Sequence, residues 1–137
     1  MSDLQDIRKA LENQLKDNAG IAAANFAWEN TKFDPSGKTS WIRSKMVPAE
    51  ARPAAVGTGN AVRWRGLFLC DCFVKRNGGP AAADQLADAV LAAFPYGLQL
   101  TENGKTINIR FSERAGAFEE EAWIYIPVTV TWYCYVS

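Results

Sequence analysis

The first pattern along the chain is the three-to-four-residue spacing of apolar side chains that is typical of an amphipathic helix. Near the N-terminus this stripe consists of Leu4, Ile7, Leu11 and Leu15. It predicts a helix over residues 3–16, which "NAG" ends at Gly20. A second stripe lies in "AAADQLADAVLAAF". Pro80 suits the first turn of this second helix, and Pro95 ends it.

Alternating apolar and polar positions predict the strands. "NFAWEN" indicates a short strand with Phe26 and Trp28 on one face, and "SWIRSKMVP" a second strand that Pro48 stops. A third, long strand covers residues 61–76. Its apolar face holds Val62, Trp64, Gly66, Phe68, Cys70, Cys72 and Val74.

The C-terminal third of the chain predicts a hairpin and a last long strand. Leu98 and Leu100 alternate on one side of "ENGK", and Ile107, Ile109 and Phe111 alternate on the other. Asn103-Gly104 between them favours a type I′ turn. The last strand starts at Phe118, and its apolar positions are Phe118, Ala122, Ile124, Ile126, Val128, Val130, Trp132, Cys134 and Val136. Pro127 within it predicts a bulge or an unpaired edge.

The elements follow one another as α-β-β-β-α-β-β-β. This order predicts an α+β fold, in which two helices pack on one face of a mainly antiparallel sheet. The pattern shows no internal repeat, so residues 1–137 are expected to form a single domain. Two loops are predicted, over residues 31–39 and 49–60, and the second is long enough to suggest a functional role.

Composition narrows the function classes. The chain has 15 basic residues, 15 acidic residues and no histidine. A nucleic-acid-binding domain usually has a basic excess, so DNA or RNA is not expected to be the primary ligand. Without histidine, the chain lacks the commonest general base and metal ligand. The apolar runs are shorter than the ~20 residues that span a bilayer, and the charged N-terminus does not resemble a signal peptide.

Three cysteines raise the question of a thiol site. Cys70, Cys72 and Cys134 all fall on the apolar faces of long strands, where a free cysteine packs as a small hydrophobic residue. One Cys-x-Cys pair without histidine makes a poor zinc site, and a Cys70–Cys72 disulfide is at the limit of strand geometry. Core packing is therefore the favoured interpretation, with a redox or a metal role as the alternatives.

Two charged groups are candidates for contacts between molecules. Five cations are expected to cluster around the second predicted loop: Arg43, Lys45, Arg52, Arg63 and Arg65. Glu119 and Glu121 are expected to share one strand face. Both groups suit either a solvated surface or two complementary patches that associate head to tail. "GTGN" at residues 57–60 lacks the context of a phosphate-binding loop.

Taken together, these segments resemble the tail terminator and tail completion proteins of long-tailed, lambda-type bacteriophages and a related phage domain. The resemblance rests on the order of segments over nearly the whole chain. After the N-terminal helix come "FAWENTKFDPSGKTSWIRSKMVP" and "AAVGTGNAVRWRG", then "AAADQLADAVLAAF" and finally "EEEAWIYIPVTVTWY". Before the second helix the chain has "KRNGGP", which departs from the pattern expected of the family.

The resemblance implies a structural protein of the virion tail, assembled in the host cytoplasm, with no enzymatic activity, cofactor or metal. Its partners would be further copies of itself in a ring, expected to be a hexamer, together with the tail tube protein and the head-tail connector. DNA would pass through the ring without specific binding. Phe33, Trp41, Arg52 and Val56 are expected to anchor these contacts.

Two alternatives stay open. The first is a head-tail connector or minor tail protein with a similar fold. The second, from a different class, is a small-molecule binding module or an enzyme that uses Cys70 or Cys72.

Overall fold

The computed structural model describes residues 3–53 and 62–136, apart from the side chains of Glu50 and Pro53. Val56, and the remainder of the second predicted loop beyond Pro53, therefore lie outside the described residues. The elements are α1 (Asp3–Asn18), a short 3₁₀ turn (Ala23–Asn25), β1 (Phe26–Ala27), β2 (Ser40–Pro53), β3 (Val62–Lys75), α2 (Ala81–Ala93), β4 (Gln99–Glu102), β5 (Lys105–Arg114), β6 (Phe118–Glu120) and β7 (Trp123–Val136).

The strands form one seven-stranded sheet with the order β1-β2-β3-β7-β5-β4, and β6 pairs with the start of β7. Every pairing is antiparallel except the short parallel pairing of β1 with β2. Both helices pack against one face of this sheet. The predicted α+β class and the one-sided placement of the helices are confirmed. No helix among the described residues has the length and the apolar content needed to cross a bilayer.

The main core lies between the sheet and the two helices. The apolar positions predicted for β3 and β7 point into it, and Phe68, Cys70, Val128 and Trp132 are fully buried there. The predicted helical stripes face the same core and are buried, except that Leu4 and Leu91 are half-buried at its margin. We call the opposite side of the sheet the helix-free face. Because side chains alternate along a strand, the odd-numbered positions of β3 and β7 lie on that face.

The β2 strand is longer than the sequence predicts. Pro48 was expected to stop it, but the strand continues to Pro53 and remains paired with β3. The prediction that the strand ends at Pro48 is therefore wrong. The loop predicted over residues 49–60 is also wrong for residues 49–53, which belong to β2. The ladder shifts register between Pro48 and Glu50, and a bulge on a strand with a free outer side tolerates proline.

The last strand is shorter than predicted. Glu121 adopts a left-handed conformation with φ 55°, which breaks the predicted strand into β6 and β7 and folds them into a hairpin. Pro127 lies in β7 opposite Asp71, without a register shift in that ladder. Its carbonyl accepts a hydrogen bond from the Ala115 amide at 3.0 Å. The Pro127 nitrogen lies on the same side of the strand as this carbonyl. On that side the partner of β7 changes from β5 to β6, so no ladder hydrogen bond is lost to the proline.

The β4–β5 hairpin agrees with the predicted turn. Asn103 and Gly104 have φ values of 51° and 79°, so both central residues are left-handed, as a type I′ turn requires. One element of β5 differs from the prediction. The ladder shifts between Ile109 and Phe111, so Ile109 faces the core opposite Trp132 while Phe111 lies on the helix-free face opposite Thr131. Phe111 is consequently 43% exposed.

Candidate assembly interface

The predicted contact residues lie mostly on the helix-free face, because of strand register. Trp41 pairs with Phe73 and Arg43 with Asp71, and all four positions have the parity of that face. Beyond the β2 bulge the parity reverses, so Arg52 comes opposite Arg63 on the same face. Two strands with a single register shift thus present aromatic and charged side chains on one surface.

One end of the helix-free face carries a stack of aromatic rings, which we call the aromatic end. Trp41 lies on Phe73 with ring centroids 3.9 Å apart and planes within 5°. Phe33 reaches Trp41 from the loop after β1 at 5.0 Å. Tyr125 continues the stack beside Phe73 at 4.8 Å, and Phe118 covers Tyr125 at 5.6 Å. Trp41 and Phe73 are buried at the base of this stack, and Phe33, Tyr125 and Phe118 pack over them toward solvent.

Arg43 binds within its own chain at this end. Its Nη2 donates to Asp71 Oδ2 at 3.1 Å, and its Nη1 donates to Glu120 Oε2 at 3.4 Å. The guanidinium also lies 4.8 Å from the centroid of the Phe73 ring. Burial raises the pKa of Asp71 above its ordinary value, although the hydrogen bonds and positive charge of Arg43 act in the opposite direction. Arg43 therefore organises the face, and its charge is already balanced by two carboxylates.

The other end of the face contains a groove with a volume of about 910 Å³, which we call the tyrosine groove. Its aromatic walls include Tyr96, Phe111, Tyr133 and Tyr135. Tyr96 is 85% exposed and Tyr135 is 53% exposed. Arg63, Arg65 and Arg110 also line the groove, and its described residues include no carboxylate. The site is thus amphipathic and basic, with large apolar surface open to solvent.

The predicted cluster of five cations is spread along β2 and β3, with Lys45 opposite Leu69 between the two ends. Arg52, Arg63 and Arg65 lie together at the groove end of β2 and β3. Arg43 pairs with Asp71, eight residues from Arg63 along β3, which corresponds to about 26 Å of strand. The predicted single cluster is therefore wrong. The cause is that β2 continues past its bulge and stays paired with β3 as far as Pro53, where a loop was predicted.

The predicted pair of glutamates does not share a strand face. Glu121 lies in the turn after β6, so that prediction is wrong. Both residues nevertheless contact Arg76, because the Glu119 carboxylate and the Glu121 backbone carbonyl accept hydrogen bonds from it at 3.2 and 2.8 Å. Glu120 pairs with Arg43 and is the member of this run that belongs to the helix-free face.

The three cysteines are free and buried, and they belong to the core as predicted. Burial raises the pKa of Cys72 to about 12 and that of Cys70 well above the ordinary thiol value. A group of three or more potential metal-binding side chains is not found in residues 3–53 and 62–136. The geometry thus makes these thiols poor nucleophiles at neutral pH.

Sequence reasoning missed four of the groove residues and two partners of Arg43: Tyr96, Phe111, Tyr133, Tyr135, Asp71 and Glu120. The alternation of β7 places Tyr133 and Tyr135 on the polar face, and that parity was a usable signal for them. Phe111 gave no such signal, because the β5 bulge reverses its side.

Comparison with known proteins gives both a family and a fold. A family model described as phage tail terminator protein matches residues 6–132. One solved structure is similar over 100% of this chain and 98% of its own, with a TM-score of 0.78 and 24% identity. A chain in the structure of a virion of a native gene transfer agent (GTA) particle is similar over 97% of both chains, with a TM-score of 0.68 and 16% identity. A search of curated proteins found no match.

Proposed function

The chain belongs to the phage tail terminator family, and on this premise we propose that it ends a phage tail by closing the tail tube with a ring of its own copies. The ring is a homohexamer. One side binds the last layer of tail tube protein and prevents further subunits from adding. The other side forms the surface to which the head-tail connector binds, and DNA passes through the central channel without specific binding.

The observation that supports this proposal is the one-sided exposure of large apolar side chains. The four most exposed among the described residues are Tyr96, Phe111, Phe118 and Tyr135. All four line the tyrosine groove or lie on the helix-free face. A soluble monomer rarely leaves a large patch of this kind uncovered, and aromatic and arginine side chains contribute most to the energy of interfaces.

The positions of several predicted contact residues support the proposal. Phe33 lies at the aromatic end and Arg52, Arg63 and Arg65 border the groove, so these four are proposed to meet a partner. Trp41 is only 6% exposed, so its proposed part is to support Phe33 from beneath. Glu119 is 69% exposed at the side-chain level, but it pairs with Arg76 at 3.2 Å and lies beside this surface, not on it. A formal net charge of zero suits a channel that must let DNA pass without holding it.

The test combines assembly with tube capping. Light scattering and negative-stain images of the purified chain report whether rings form. Polymerisation of tail tube protein with and without the chain, followed by length measurement in electron micrographs, reports capping. We expect rings with a central hole, and tubes that stop growing once the chain binds their ends.

Two variants sharpen this test. A Tyr96→Ser/Phe111→Ser chain removes apolar groove surface and is expected to lose both ring formation and capping. Gly116→Ser is the matched control, because a Cβ at Gly116 meets no atom within 4 Å. Tubes of unchanged length in the presence of rings would refute the terminator role and favour a head-tail connector.

A further inference from the structure

A closed ring needs two different surfaces on each subunit. We infer that these are the tyrosine groove on one copy and the outer side of the helix layer, α1 and α2, on the next copy. This inference rests on the proposed function, which does not itself say which surfaces meet.

The two surfaces carry opposite charge. Within α1 there are four carboxylates and three cations, and within α2 there are two carboxylates and no cation. The groove has Arg63 and Arg110 in its lining and no carboxylate among its described residues. Complementary charge of this kind guides association and sets which partner and which register are accepted.

Specific side chains on the helix layer are free to act in this way. The Asp6 carboxylate binds Lys105 at 2.7 Å, and Asp84 binds Arg114 at 2.8 Å, so these two are neutralised within the chain. Asp17 and Asp88 are exposed, and neither forms an ion pair with another residue in the described part of the chain. Glu12 and Lys16 of α1 form none of the described ion pairs either, so the unpaired groups of the two helices are three carboxylates and one cation. Asp17 and Asp88 are the exposed carboxylates among them and are the ones assigned to a second copy.

The position of the two surfaces determines the kind of assembly. The helix layer covers one face of the sheet and the groove opens on the other, so they lie on opposite sides of the subunit. A contact between unlike surfaces on opposite sides is heterologous, and it continues from copy to copy until the rotation closes a ring. A groove-to-groove contact would instead be two-fold symmetric and would stop at a dimer.

The outer side of β2 is protected against the competing mode, in which strands of two copies pair edge to edge. The Glu29 carboxylate accepts a hydrogen bond from the Met46 amide at 3.1 Å. The Arg8 Nη2 atom lies 3.5 Å from the same Glu29 oxygen, Oε1, and forms an ion pair with it. Two residues further on, at the next position of the same parity, Pro48 has no N–H. Two successive outward donors are thus blocked, as is common on edge strands that must not pair.

The experiment exchanges charges between the two surfaces. One variant reverses the groove with Arg63→Glu and Arg110→Glu, and the other reverses the helix layer with Asp17→Lys and Asp88→Lys. In each variant alone the groove and the helix layer have like charge. In an equimolar mixture every groove can meet a helix layer of opposite charge, because the two variants can alternate around the ring.

We expect each variant alone to associate at least about tenfold more weakly than the wild-type chain, as measured by light scattering at low ionic strength. The mixture is expected to recover rings in which both variants are present. All four substitutions replace side chains at the surface, so both variants are expected to fold. Circular dichroism checks this.

Three results would overturn the inference. They are normal association of the helix-layer variant alone, a mixture that stays as weak as its components, and a wild-type chain that is monomeric even at low ionic strength and high concentration. The capping assay separates these results from failure of the proposed function. A chain that caps tubes while its helix-layer variant assembles normally keeps its function and loses only the assigned surface.

Discussion

Gly66 in β3 is the position where the fold is least tolerant of one added methyl group. A Cβ at Gly66 would overlap the Val47 carbonyl oxygen and would lie 2.8 Å from Trp132 Cζ2 and 3.0 Å from the Pro48 Cα. Carbon atoms in good contact are about 3.5–4.0 Å apart. We therefore expect Gly66→Ala to force β2, Trp132 or both to move.

The loss of stability in Gly66→Ala depends on which of these neighbouring atoms can move. Two of the three neighbours are backbone atoms next to the β2 bulge, and the third belongs to a fully buried Trp132 ring. Overpacking in a core costs about 1–3 kcal/mol, and a rigid backbone neighbour places Gly66→Ala toward the upper end of that range. For a domain of this size the melting temperature should fall by about 3–5 °C for each kcal/mol.

The assay is equilibrium unfolding in urea, followed by circular dichroism and tryptophan fluorescence. Gly78→Ala is the matched control, because its Cβ would meet only the Lys75 carbonyl oxygen, at 3.8 Å. That control should change the free energy of unfolding by no more than about 1 kcal/mol. If both variants unfolded at the same urea concentration, the argument from close packing at Gly66 would be refuted.

Two further predictions concern ionisable groups. In the native state at pH 8, Cys70, Cys72 and Cys134 should not react with a thiol reagent, because burial raises the pKa of all three, whereas denaturant should release three reactive thiols; rapid native labelling would contradict the core assignment. The hydrogen bond from Lys105 lowers the pKa of Asp6, so the stabilisation from Asp6 is complete above about pH 4 and is lost as the pH falls through the lowered value. The free energy of unfolding should be measured against pH in acid. Its slope, which counts the protons taken up on unfolding, should be smaller in Asp6→Asn than in the wild-type chain by up to about one proton. Equal slopes in the two chains would contradict the assignment.

The sequence by itself determined most local features of this protein. Helical stripes, strand alternation and the Asn103-Gly104 turn each depend on neighbours within a few residues, so their geometry can be inferred from spacing and residue type. The same alternation placed all three cysteines in the core. These inferences hold because a side chain's direction follows from backbone periodicity whatever the strand pairs with.

Only the tertiary structure decided how the strands are ordered and which side chains share a surface. A bulge changes which face of the sheet every later side chain of its strand lies on. The local pattern of apolar and polar residues does not indicate where a bulge occurs. The bulges in β2 and β5 moved Arg52 and Phe111 to the helix-free face, and the left-handed Glu121 divided the last strand. The pairing of Arg43 with Asp71 and Glu120 joins residues 28 and 77 positions apart. Such contacts depend on register between distant segments, which is fixed by packing of the whole sheet.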